Sequence, residues 1–530
     1  MTADAHAALL AQLRRPGACG GHPDAAGLVQ THISSLLLAG GQVFKLMRPV
    51  ALPFVDFSTL DKRHAACVAE LQLNRRTAPQ WYQAVAPVID SGQGACIAPP
   101  GGPPPPAGAV LDWAVRMRRF DDHGLFSRLA AGGQLSAGQV DALAAAVAAF
   151  HNSLLPSPPG FGDPQAVRAM VALNLQELAS LLAGPAWQGV PGATAAAQAV
   201  AGLRAWADTR GAALAGLMQA RRAAGQVREG HGDLHLGNVV WADGAPVLFD
   251  ALAFDATQRH TDLVGDVAFT FMDLLAAGVP ALAWRLASGW LDATGQHDGL
   301  PLLAWWAAHR AAVRAKVALL SQPASPPPAA LPADLVRYLR VAQGLASPVG
   351  DTRRLVLTCG LSGSGKSAVA AALAAQLGGI RLRSDMERKR LAGLAATARG
   401  GPDLYAPAAG ERTYARLRQL AADALAAGVP VVVDAASLRH SERAAMQAVA
   451  AQAGVPFRLL VCQAPADVLA QRVQARLQAG HDPSDATPDV LQRQAGWVQW
   501  PGPDEAAHTL WLDTDAAPAD VLARVQTFAL

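Results

Sequence analysis

At 530 residues the chain is too long for one ordinary hydrophobic core, so two or three domains are expected, and a hydrophobic content of 51% lets each bury a sizeable interior. The 44 basic and 41 acidic residues leave a net charge of +3, which gives no case for a general nucleic-acid or membrane-surface binder while leaving room for a local basic groove. Cys19, Cys67, Cys96, Cys359 and Cys462 are odd in number and scattered, which argues against a disulfide framework or zinc site and for a reducing compartment.

Met1 to Gly17 holds no basic region followed by a continuous apolar segment, so no signal peptide is expected. Leu28 to Val50 reads as two strands joined at Ala39-Gly40-Gly41, with Lys45 in the second. Ser58 then reads as the cap of a helix running to Arg76, with Asp61 three residues on and Glu70 well inside. A strand lysine followed by a glutamate on the next helix is how protein-kinase-like folds clamp the α- and β-phosphates. An exposed strand lysine and a solvated helix glutamate are the alternative.

Gly92 to Gly108 is rich in glycine and proline and reads as a loop, and Val110 to Phe120 returns to strand character. Helices are expected near Ser136–His151, Pro164–Leu182 and Thr194–Ala224, alanine supplying much of their propensity.

His231-Gly232-Asp233-Leu234-His235-Leu236-Gly237-Asn238 follows. Its Asp-to-Asn spacing matches the catalytic loop of kinases, in which the Asp takes the acceptor hydroxyl's proton and the Asn holds a metal ion. A hairpin V-V-W-A-D-G-A-P-V-L-F ends at Asp250, so that Asp233, Asn238 and Asp250 form an oxygen set suited to a hard cation. A polar loop with a capping Asp is the bland alternative.

On these residues, roughly 25–346 resemble the aminoglycoside phosphotransferase (choline/ethanolamine kinase-like) family. The resemblance implies a protein-kinase-like phosphotransferase fold, Lys45 and Glu70 as the nucleotide clamp, Asp233 as base, and Asn238 and Asp250 as Mg²⁺ ligands. Gly232, where protein kinases have Arg, favours a small-molecule acceptor. The chain departs from the pattern in lacking a full G-x-G-x-x-G loop over residues 28–48, and Asp250-Ala251-Leu252 is not D-F-G. Asp262 and Asp266, expected on a helix from His260 to Leu275, read as supports of the catalytic loop. Asp266 and Asp273 also break the best apolar run, so no bilayer span is expected and the expected location is the cytoplasm.

Helices are expected at Pro280–Ala293 and Pro301–Leu320, a stiff proline-rich connection at Ser321–Pro332 and a short helix at Ala333–Ala346. This sets a first domain at 1–346, a linker at 347–351 and a second domain at 352–530.

The second domain alternates strand and helix, with strands expected at Leu355–Cys359, Ile380–Arg383, Val429–Val433, Phe457–Cys462 and Thr509–Leu512. After the first comes T-C-G-L-S-G-S-G-K-S, Thr358 to Ser367, with every fixed position of a phosphate-binding loop filled. Gly360, Gly363 and Gly365 allow the tight fold, and the amides through Ser362 and Ser364 aim at an anion. Lys366 reaches the β- and γ-phosphates and the Ser367 hydroxyl ligates Mg²⁺. A glycine-rich turn with an incidental lysine is the alternative. The third strand ends in Asp434, the position of a metal-side acid, and Arg472 and Arg476 lie one helical turn apart.

Residues 352–530 resemble the P-loop kinase group that includes polynucleotide 5′-kinases, gluconate kinases and zeta-type toxins. Besides the loop, the points of likeness are S-D-x-x-R (Ser384, Asp385, Arg388), D-A-x-x-L (Asp434 to Leu438) and the R-x-x-x-R lid. The resemblance implies a three-layer α/β/α domain with a parallel sheet. Asp385 would activate the acceptor hydroxyl, Arg388 bind acceptor or phosphate, and Arg472 and Arg476 stabilise the transferring phosphate. The expected protein is thus α/β and α+β, an ATP- and Mg²⁺-dependent phosphotransferase acting on small-molecule hydroxyl acceptors. A nucleotide-sensing or hydrolysing module and a 5′-hydroxyl nucleic-acid kinase remain open at this point.

Overall fold

The computed structural model describes residues 1–52, 55–99, 101, 108–322, 329–347, 350–479 and 483–529. Two compact units emerge. The first comprises Met1–Ala142, Ser153–Asp273 and Trp306–Ala342; the second comprises Leu143–Asn152, Leu274–Trp305 and Gln343–Leu530. One division, between Ala342 and Gln343, falls close to the expected 347–351 joint, of which residues 348 and 349 lie outside the described residues, but the second unit also takes in Leu143–Asn152 and Leu274–Trp305. The reason is visible within the second unit, where the Pro280–Thr294 helix covers the open edge of its sheet.

In the first unit a six-stranded antiparallel sheet runs in the order Gly27–Gln30, Ser34–Ala39, Gln42–Met47, Val110–Arg118, Tyr82–Asp90, Ala95–Ile97. Alternation sorts its faces. Leu37, Phe44, Leu46, Val88 and Ala114 join one core cluster, while Met47, Tyr82 and Val115 join another with Cys67 of the Leu60–Asn74 helix. The run expected as two strands is three, because Thr31 makes a tight turn: its hydroxyl accepts from the Ser34 amide at 3.0 Å. The following helix is capped by Thr59, whose Oγ1 accepts from the Lys62 amide at 3.3 Å, and ends at Asn74. Ser58, expected in that role, instead donates to Asp56 at 2.6 Å. The Gly92–Gly108 stretch holds a short strand, Ala95–Ile97; residues 100 and 102–107 lie outside the described residues.

Helices form at Ala137–Ser153, Pro164–Leu182 and Ala193–Ala223, near their expected bounds. The Val239–Ala242 and Ala245–Leu248 hairpin turns at Asp243-Gly244, where positive φ at both residues gives the tight turn that matches strand twist. The helix expected from His260 is broken. A strand, His260–Asp262, pairs with Val227–Glu229, and the helix proper is Leu263–Ala276. Asp262 begins that helix by accepting from the Val264 amide at 2.8 Å, and its carboxylate pairs with buried Arg221. The proline-rich connection is described only outside residues 323–328, and the Ala333–Ala346 helix forms as expected.

The second unit is built on a five-stranded parallel sheet ordered Ile380–Arg383, Val431–Asp434, Leu355–Cys359, Phe457–Gln463, Thr509–Asp513. Val356, Val432, Leu460 and Leu512 face the Lys366–Gln376 and Pro518–Ala529 helices, while Leu355, Leu357, Val431 and Val433 are equally buried on the other face. Burial on both faces is why these strands read as continuous apolar runs. The second strand of the order begins at Val431 rather than Val429, since Pro430 has no N–H to give the ladder. Among the described residues, no helix is long and apolar enough to cross a membrane.

Candidate functional site

In the second unit the sheet delivers the Gly360–Gly365 loop at the C-terminal end of a central strand and directly before a helix. Only glycine fits at Gly363: its φ is +84°, and a Cβ there would meet the Leu469 carbonyl oxygen at 2.6 Å. The loop wraps the Lys366 side chain, whose ammonium donates to Gly360 O at 2.8 Å, Leu361 O at 2.7 Å and Ser364 Oγ at 3.3 Å. Burial lowers the Lys366 pKa, with Asp434 and Asp385 among the groups opposing it. The Ser367 hydroxyl donates to Asp434 Oδ1 at 3.2 Å. Hydroxyl and carboxylate oxygens brought together in this way suit Mg²⁺, so Ser367 and Asp434 fit the role of its ligands.

A cavity of about 850 Å³ opens over this pair and is lined by Lys366, Ser367, Asp385, Arg388, Asp434 and Arg476, among others. Arg388 donates to Asp385 Oδ1 at 2.8 Å and lies 5.0 Å from the Tyr405 ring, while its buried Nε has no partner. The Nη2 of Arg476 is likewise buried without a partner. Arg472 lies against the phosphate loop, its Nη1 3.5 Å from the Gly363 carbonyl oxygen. Its guanidinium also donates to Thr514 O at 3.0 Å and reaches Asp515 at 3.4 Å, while Arg476 lines the cavity. No motif points to Gln494, whose Oε1 accepts from the Ser362 amide at 2.9 Å. The same holds for Arg383, 3.9 Å from Asp434. Both depend on chain crossings that no local spacing announces.

In the first unit, Lys45 Nζ lies 2.6 Å from both Glu70 Oε1 and Asp250 Oδ1. Lys45 comes from the sheet, Glu70 from the helix packed on it, and Asp250 from the end of the hairpin. Burial pushes Glu70 up to about 7, Lys45 opposing and Asp250 adding to the shift. Asp250 itself adopts φ of +61°, a left-handed conformation held by Tyr82, whose hydroxyl accepts from the Asp250 amide, and by Asn74, which accepts from Ala251. Asn238 spends its Nδ2 on Asp233, at 2.9 Å from the carbonyl and 3.1 Å from Oδ2. Asn238 Nδ2 also lies 3.4 Å from the Asp250 carbonyl oxygen, so Asp233, Asn238 and Asp250 meet, and their oxygens suit a hard cation.

The loop that carries Asp233 is fixed by Asp266. Its fully buried carboxylate accepts from the His231 and Gly232 amides, each at 2.8 Å, which is the supporting role expected of it. Gly232 has φ of +78°, and a Cβ would sit 3.0 Å from Leu252 Cβ, which explains glycine at that position. His235 lay inside the motif but was not singled out. Its Nδ1 accepts from Gly237, so its Nε2 proton points at Asp233 Oδ2, 3.5 Å away. Burial raises the Asp233 pKa, but His235 and Arg314 overcome it and hold the carboxyl well below the usual range.

The phosphate loop, the Ser367–Asp434 pair and the parallel sheet define a P-loop domain. A family model described as an AAA domain matches residues 355–501. Over 496 residues the chain is 31% identical to the uncharacterized protein Rv2004c of Mycobacterium tuberculosis (strain H37Rv), covering 91% of this chain and 93% of that one. The uncharacterized protein Mb2027c of Mycobacterium bovis matches with the same identity, 31%, over the same shares, 91% and 93%. The chain belongs to the family of these proteins. Among solved structures, a gluconokinase from Sinorhizobium meliloti 1021 is 22% identical, covers 34% of this chain and 93% of its own, and has a TM-score of 0.25. The APS kinase CysC of Mycobacterium tuberculosis in complex with AMPPNP and APS is 26% identical, with 33% and 96% covered and a TM-score of 0.25.

Proposed function

We propose that the protein is an ATP-dependent phosphotransferase with two sites, one carried by residues 1–346 and one by 352–530. The observation that carries the reading is that Asp385 lines the same cavity as Lys366, Ser367 and Asp434. A pure nucleotide sensor has no need of a carboxylate poised beside the phosphate end, whereas a kinase uses one to take the acceptor hydroxyl's proton; a hydrolase would use it on water, which dependence on an acceptor tells apart.

In the second site the loop amides and Lys366 hold the β- and γ-phosphates, and Ser367 and Asp434 hold Mg²⁺. When bound, the ion neutralises charge on the phosphate oxygens. Asp385 orients and deprotonates the acceptor, and Arg388 and Arg476 offer their unpaired N–H groups to the phosphoryl group in transfer.

The first site supports a second transfer on a protein-kinase-like scaffold of the aminoglycoside phosphotransferase type. Lys45, aligned by Glu70, clamps the α- and β-phosphates, Asn238 and Asp250 hold Mg²⁺, and Asp233 acts as base. Arg314 beside His235 and Asp233 argues against a polycationic acceptor such as an aminocyclitol, because like charge there is repulsive. Small neutral or anionic hydroxyl compounds fit better in both sites.

The test is a screen of hydroxylated metabolites and 5′-hydroxyl oligonucleotides for phosphate transfer from ATP, run on the whole chain with Mg²⁺. Acceptor-dependent ADP formation is expected for small molecules. ATP loss that no acceptor accelerates would instead identify a hydrolase or sensor.

A further inference from the structure

The P-loop of this chain is braced from a helix that lies 61 residues before the matched AAA segment begins, at Pro280–Thr294. Arg381, on the edge strand of the parallel sheet, is the link. Its Nη1 donates to the Ser367 carbonyl at 3.1 Å, and its Nη2 lies 3.3 Å from Asp292 Oδ2 on that helix. The Arg381 amide, which an edge strand would leave open, donates to Ser288 Oγ at 2.9 Å. Arg390 donates to the Asp292 carbonyl. Asp292 is 5% exposed, and its Oδ1 has no partner. Burial raises the pKa of Asp292, while Arg381 and Arg383 oppose it.

A buried carboxylate of this kind is costly, and an apolar residue would seal the edge as well. What an apolar residue could not do is hold one fork of a planar guanidinium so that the other fork points at Ser367. Ser367 is the residue whose hydroxyl meets Asp434. We propose that Asp292 is a positioning residue of the P-loop site: through Arg381 it fixes the backbone of Ser367, and so sets the Ser367 hydroxyl against Asp434 for the Mg²⁺ of the nucleotide. This rests on the reading of the loop as a Mg²⁺–nucleotide site. Lys366 and the loop amides, which hold phosphate without the metal, are not on that path.

The test is binding of a non-hydrolysable ATP analogue to the full chain, with and without Mg²⁺, the Lys366→Ala chain serving as reference for the second site. Asp292→Leu, close in shape but with no acceptor for Arg381, should weaken the Mg²⁺-dependent affinity on the order of 10-fold or more, as loss of a partner to a metal ligand does, and leave the Mg²⁺-free affinity within about twofold. Arg381→Met should reproduce this, and the double variant should lose no more than either single, because both act through one link. Ser288→Ala, which removes only the edge bond, should leave the Mg²⁺ dependence unchanged. Equal losses with and without Mg²⁺, no loss, or additive losses in the double variant would overturn the proposal. Nucleotide binding that Lys366→Ala does not alter would be a different failure, since it removes the P-loop reading on which the proposal stands.

Discussion

Asn238 donates from Nδ2 to Asp233 Oδ2 at 3.1 Å, so the amide and the carboxylate five residues before it are held as a unit. An amide oxygen at position 233 can still accept that bond. Asp233→Asn should therefore keep the fold and nucleotide binding of the first site and lose its base, lowering transfer by about 10²–10⁴. Transfer assays alongside nucleotide titration check this; unchanged first-site turnover would remove Asp233 from the chemistry.

The second site offers the parallel experiment with a different partner. Arg388 donates to Asp385 Oδ1 at 2.8 Å, and an Asn side chain there still accepts that bond. Asp385→Asn should bind Mg·ATP with near-normal affinity and fail to form ADP in response to acceptor. Lys366→Ala, by contrast, should impair nucleotide handling whether or not transfer occurs. Transfer retained by Asp385→Asn would sink its assignment as base.

Asp266 predicts a stability effect. Its carboxylate accepts two buried amides, from His231 and Gly232. Asp266→Ala leaves both donors without a partner, at about 1–3 kcal/mol each. Asp266→Asn keeps one amide oxygen and should lose roughly half as much. Urea midpoints of the two variants check the order; equal midpoints would mean the loop is held elsewhere.

His6 predicts a pH dependence. Burial, then Arg48 and Arg63, lower its pKa from the ordinary 6.5 to about 4, and its Nε2 lies 3.2 Å from Ser35 Oγ. The unfolded chain thus takes up the proton first as pH falls. Stability from the neutral imidazole is complete above pH 6.5 and is lost progressively down to about 4. The loss at pH 5 should be roughly 2 kcal/mol. His6→Gln cannot titrate, so the stability difference between wild type and variant should shrink by that amount from pH 7.5 to pH 5. A difference that does not move with pH would refute the assignment.

The sequence by itself determined the features that local chemistry fixes. Glycine spacing and a following helix specify the loop from Gly360 to Ser367, because positive φ and an amide-lined turn admit few residue types. The Asp233–Asn238 spacing and the hairpin to Asp250 are legible for the same reason. Apolar runs announced the buried parallel strands to within a few residues, Pro430 shifting one start. Tertiary structure alone decided the long-range pairings. Lys45 finds Glu70 and Asp250 because a sheet, a helix and a hairpin converge, and a separation of 205 residues carries no periodic signal. It turned Arg472 toward Thr514 and left Arg476 facing the cavity, although both share one helix and read alike. It also brought the Pro280–Thr294 helix to the edge strand, so that Asp292 meets Arg381. Side-chain direction and edge covering follow from packing against elements remote in the chain, and the spacing of neighbours along the sequence holds no information about them.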